Sequence, residues 1–152
     1  MRSPSALLLP LALSLTLTGC WGGQRNAPSA PAALPRSAAL DVDQIRASAP
    51  VVGELVRAAT VCGLPVSITA QDRAARIEGA ALNLVGREGG QPAIDNYLRS
   101  VQPPAFDAQQ RGRDRAQYCG QKRLDVERME GFLNGPDGAA LTQRAEAIRG
   151  GR

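Results

Sequence analysis

From residue 41 onward, apolar side chains recur at three- and four-residue spacing in short runs, and glycine or proline cuts off each run. That spacing gathers apolar residues on one face of a helix, whereas a half-buried strand needs strict alternation. Val52, Leu55, Val56, Ala59 and Cys62 form one stripe, stopped by Gly63 and Pro65. Ala74, Ile77, Ala81, Leu84 and Val85 form the next, up to Gly86, and Gly89-Gly90 punctuates the chain after it. Pro92 suits the first turn of a further helix carrying Ile94, Tyr97, Leu98 and Val101, which Pro103-Pro104 terminates. The expected fold class is therefore all-α, a small bundle of four to six short helices within 41–152. Only 3% of the residues are aromatic, so its core must be aliphatic.

Helix boundaries follow from capping chemistry. Asp41 with Gln44 three residues on reads as a capping-box-like start, and Pro50 then kinks or restarts the helix. Thr69 with Asp72 reads as the next cap. Residues 105–134 fit one long helix or two broken at Gly120. Arg111, Arg113, Arg115, Lys122 and Arg123 precede Asp125, Glu127 and Glu130, an order that opposes the macrodipole of an unbroken helix and favours the break. Val126, Met129 and either Leu133 or Phe132 supply its apolar face. Gly135-Pro136 ends that segment, and Leu141, Ala145 and Ile148 mark a terminal helix.

The first twenty residues have a different character. Arg2 precedes an apolar run over 6–17, too short for the ~20 residues a helix needs to cross a bilayer but the right length for a signal h-region. The run ends in Leu17-Thr18-Gly19-Cys20, which resembles the lipobox of bacterial lipoproteins. The resemblance covers the leader alone. It implies a signal peptide over 1–19 and a diacylglycerol and an N-acyl chain covalently attached at Cys20, holding the chain to a membrane. Trp21, in place of the aspartate that retains such proteins in the inner membrane, implies the outer membrane facing the periplasm if the source is Gram-negative. On its position, Trp21 itself reads as an interfacial side chain. Residues 20–40, with Pro28, Pro31 and Pro35, read as a disordered linker.

With Cys20 acylated, two cysteines remain in an exported chain, and the simplest pairing is a structural Cys62–Cys119 disulfide. A redox-active pair is the alternative, but it usually takes the form Cys-x-x-Cys at a helix N-terminus. The region 51–133 resembles small exported bacterial helical proteins in which a Cys-Gly pair ends an early helix; that resemblance implies no activity.

The chain has no histidine, which excludes a histidine general base or metal ligand. It also lacks a phosphate-binding glycine loop, a nucleophile elbow and a haem-attachment motif, so no enzyme and no cofactor beyond the acyl chains is expected. The acid pairs Asp41 with Asp43 and Asp125 with Glu127 point in different directions on a helix. Tyr97 and Tyr118 read as core-edge aromatics. The one candidate constellation is Arg111, Arg115 and Arg123, in which Arg111 and Arg115 lie one turn apart and can hold a phosphate or carboxylate between guanidinium planes. Against it stands a solvated face on which Asp107, Asp114 and Glu127 pair with these arginines. Nucleic acid is not an expected partner, because a net charge of +4 lacks a basic stripe with stacking aromatics. The expected function is a non-catalytic periplasmic interaction or envelope-assembly module with an envelope protein partner. The alternatives are a binder of anionic envelope lipid or glycan and an accessory to a cell-wall enzyme.

Overall fold

The computed structural model describes residues 36–106 and 111–151, with side chains from residue 41 and, after the gap, from residue 112. The signal segment, Cys20, Trp21 and the linker up to residue 35 lie outside the described residues. Four helices follow in order: α1 (Arg36–Cys62), α2 (Ile68–Ser100), α3 (Arg111–Asn134) and α4 (Pro136–Gly150). The described residues are all-α, with α1 packed chiefly against α2 and α3, and α4 against α2 and α3. The Cys62–Cys119 disulfide joins the end of α1 to the middle of α3, with the Cα atoms 5.5 Å apart.

The apolar stripes meet in one core. Ile45, Ala49, Val52, Leu55, Ala58 and Ala59 of α1 oppose an almost entirely small face of α2, Ala70, Ala74, Ile77, Ala80 and Ala81. Alanines at this spacing let the two helix backbones approach closely, while Val126, Met129 and Leu133 of α3 and Leu141 and Ala145 of α4 close the other sides. Leu133 is fully buried and Phe132 is 41% exposed, which decides between the two residues the sequence left open.

Several local expectations are corrected. The first helix begins at Arg36 rather than Asp41, so residues 36–40 belong to it and not to the expected linker. Pro35 is the last proline before it, and Ser37-Ala38-Ala39-Leu40 offers nothing to oppose helix. Asp41 lies inside α1 and makes an ion pair with Arg144 of α4 at 3.4 Å instead of capping. Helix α1 continues through Pro50, forgoing the one bond that residue's missing N–H would have made. Ser67 caps α2 rather than Thr69, its hydroxyl accepting from the Ala70 N–H at 3.3 Å. The Gly89-Gly90 break is present: Gly90 has φ 62° and ψ −156°, a backbone suited to glycine, and interrupts the helical geometry of α2.

Helix α3 runs unbroken through Gly120, against the expected split. Its adverse charge order costs only tenths of a kcal/mol on an exposed surface, and tertiary partners reverse its sense. Arg115 donates to the Val61 carbonyl, so a cation that is misplaced on α3 sits favourably at the C-terminus of α1. Lys122 reaches Glu54 of α1 at 2.6 Å.

The start of α2 and the end of α3 satisfy each other. Glu130 accepts from the Ser67 N–H at 2.9 Å, placing a carboxylate at the N-terminus of α2. Arg73 of α2 donates to the carbonyls of Leu133 and, at 3.1 Å, Gly135, which caps the end of α3. Gly135 then caps α4, with Pro136 in its first turn.

Gly138 is the tightest point of this junction. A Cβ there would lie 2.5 Å from the Phe132 carbonyl oxygen and 2.6 Å from the Leu133 Cα. Backbone cannot swing aside as a side chain does, so Gly138→Ala should lower stability by about 2 kcal/mol. Gly131→Ala, with nothing near its Cβ, should raise it by about 0.5 kcal/mol through helix propensity. Thermal unfolding of the two variants checks both signs.

Candidate functional site

The arginine constellation is only partly assembled. Arg111 and Arg115 share a face of α3 by their four-residue spacing, although the side chain of Arg111 lies outside the described residues. The Arg115 guanidinium is exposed but committed to Val61. Arg123, also exposed, lies two turns further on and rotated away by about 80° at 100° per residue. Asp107 lies outside the described residues, and Asp114 and Glu127 form no ion pair with a described arginine, so the pairing expected to neutralise this face is not what holds Arg115. The main-chain carbonyl of α1 does that.

A different feature stands out between α1 and α3. An open groove of about 530 Å³ runs along the two helices, with Val52, Leu55 and Met129 at its floor and Val51 and Phe132 on its walls. Val51 is 56% exposed and Phe132 41% exposed, so the groove offers two large apolar side chains to whatever enters it. Its end nearer the disulfide is closed by Lys122 and Glu54. The hydrogen bond that the Lys122 ammonium donates to Glu54 holds its pKa above the ordinary lysine range, so Lys122 is charged at neutral pH. On the α3 lip, Asp125 and Arg128 form a loose pair at 3.6 Å. Small residues, Ala47 and Ser48, leave the opposite end open. The rim therefore carries two acids and two bases and no net charge.

Two other polar groups are placed for structure. Glu78 meets Arg57 at 2.7 Å between α1 and α2, and burial, with the Glu78 charge adding to it, pushes the Tyr97 hydroxyl up to about 12. Burial likewise raises Tyr118, whose ring packs edge-on against Phe106 with centroids 5.5 Å apart. Both rings pack at the edge of the core as expected, but their hydroxyl oxygens are buried rather than at water and have no hydrogen-bond partner among the described residues. Among the described residues no group of three or more cysteine, aspartate or glutamate side chains is arranged to hold a metal ion. No described helix is long and apolar enough to cross a membrane.

Sequence reasoning missed the groove because Val51 and Phe132 fall just off the two buried stripes. Only a helix-by-helix pairing turns such flanking residues into opposite walls. Comparisons with protein-family models, with curated proteins and with solved structures returned no match.

Proposed function

We propose that this chain is a lipid-anchored, non-catalytic interaction module of the periplasm, attached at Cys20 to the outer membrane of a Gram-negative envelope. Its α1–α3 groove docks an amphipathic helix of an envelope protein. The carrying observation is the pair Val51 and Phe132, exposed on opposite walls over an apolar floor. From Ala47 to Leu55 the α1 wall spans about two helical turns, enough to seat apolar anchors spaced i, i+3 or i+4, and i+7. Ion pairs of both signs at the rim suit a helix with mixed charge beside its stripe, and a neutral rim gives a bulk anionic surface no preference there. Tethering supports the same reading, since confinement to a membrane raises the effective concentration of a membrane-bound partner.

A photo-crosslinking residue at position 132 in the full-length chain, in intact cells, tests this. The adduct should map to an apolar-striped helical segment of one envelope protein, and a peptide of that segment should bind the purified chain. Phe132→Glu should weaken that binding about thirtyfold, the effect of losing one interface hot spot. Adducts to lipid or glycan, or to a second copy of this chain, would overturn the assignment. Binding lost with Arg111→Glu and Arg115→Glu but kept with Phe132→Glu would move the site to the arginine face.

A further inference from the structure

The first half of α3 is held differently from the second. Val126, Met129 and Leu133 anchor the second half in the core, whereas between Gly112 and Asp125 no side chain is buried. Gly112 and Gly120 each weaken the helix by about 1 kcal/mol relative to alanine, and an isolated piece of some ten residues is marginal as a helix in water. Its non-covalent ties are the part-buried Lys122–Glu54 pair, the exposed Arg115 bond to Val61 and the half-buried Tyr118 with its edge contact to Phe106. Polar ties of the first two kinds are worth about 1 kcal/mol each or less near the surface. The disulfide is the main fastening of this segment.

That disulfide is also open to attack. Cys62 and Cys119 are only partly buried, and both line an open cleft of about 470 Å³ shared with Gly112, Arg115 and Ala116. On α3 the turns before Cys119 bring the small residues Gly112 and Ala116 to the cleft beside the two cysteines, and Arg115 lines it as well, placing a cation there. A cation there draws in an attacking thiolate and stabilises a leaving one. Cys62 is the last residue of α1, where the terminal carbonyls disfavour a negative charge, and Cys119 lies one turn beyond Arg115.

We propose that the Cys62–Cys119 bond is a thiol-exchange site for a dithiol oxidoreductase, and that its reduction releases the first half of α3 while the rest of the bundle stays folded. A thiolate of the reductant bonds to the Cys62 sulfur, the Cys62–Cys119 bond breaks, and its electron pair leaves with Cys119, which takes a proton from water. The second thiolate of the reductant attacks its own sulfur in the mixed disulfide and frees Cys62, which is protonated in turn. The reductant ends as a disulfide and this chain gains two electrons and two protons.

The full-length chain in detergent, treated with dithiothreitol without denaturant, tests the proposal. The bond should reduce completely with most far-ultraviolet helicity retained. Amides of 112–121 should exchange hydrogen at least about tenfold faster, while those of 126–134 keep their protection. With glutathione as a monothiol probe, peptide mass spectrometry should find the adduct on Cys62. Arg115→Gln should slow the attack about tenfold and Arg115→Lys should not. A bond that resists dithiothreitol until denaturant is added, reduction that unfolds all four helices together, or an adduct confined to Cys119 would overturn it.

Discussion

Leu133→Ala should lower the stability of the bundle by about 4 kcal/mol, near the upper end for truncation of a buried leucine. Leu133 is fully buried in the last turn of α3, where α4 begins its return. Loss of its methyl groups leaves a cavity, and the cost depends on how far the neighbours can collapse into it. They can do so very little. The Arg73 bonds to the Leu133 and Gly135 carbonyls fix the end of α3, and the close approach of Gly138 to the backbone of Phe132 and Leu133 fixes the start of α4. Equilibrium unfolding in guanidinium chloride measures the change, with Phe132→Ala as its partner. Being 41% exposed on the groove wall, Phe132 should cost under about 1 kcal/mol in the same assay. Equal losses at the two positions would contradict the helical register at this end of α3.

Replacing both cysteines, Cys62→Ser with Cys119→Ser, should lower global stability by a similar amount, about 4 kcal/mol on the chain-entropy estimate. The bridged residues are 57 apart, so the bond removes many open conformations from the unfolded chain. It does so without anchoring a buried segment in the folded one, because the neighbouring α3 residues are exposed. The loss should therefore appear in denaturant unfolding, while most native helicity persists at low temperature. A change below about 1 kcal/mol would show that the unfolded ensemble is already compact between these residues.

The helical class, the interior positions and the disulfide partners were legible in the sequence, and the reasons are local or arithmetical. The 3.6-residue period names buried residues such as Val52, Ile77 and Met129 without knowledge of what they touch. The Gly89-Gly90 break is equally local, since φ of 62° at Gly90 is a property of one residue. Once Cys20 is set aside on its resemblance to a lipobox cysteine, two cysteines have one pairing, and Cys62–Cys119 is the bond formed. The course of α1 past Pro50, the choice of Ser67 over Thr69 and the continuity of α3 at Gly120 were not legible. At Ser67 and Gly120 the competing local preferences differ by about 1 kcal/mol or less. At Pro50 the local cost of about 3 kcal/mol is outweighed by the burial of Ile45, Ala49, Val52 and Leu55 on either side, so distant groups decide the outcome.

Ser67 caps α2 because Glu130 and Asn134 of α3 meet it there, the latter at 3.1 Å from its hydroxyl. Arg115, an anion-binding candidate by its spacing, is turned to the end of α1 because that end lies beside it in the bundle. The groove has no sequence signature, since Val51 and Phe132 are 81 residues apart and acquire a common role only when α1 and α3 pack side by side. By itself the sequence determined which residues avoid water and that they do so on helices, because those preferences are carried by each residue and its neighbours one turn away. Only the tertiary structure decided which charges are occupied, which caps are used and where an apolar surface remains open, because each of these depends on groups that the chain brings together over long separations.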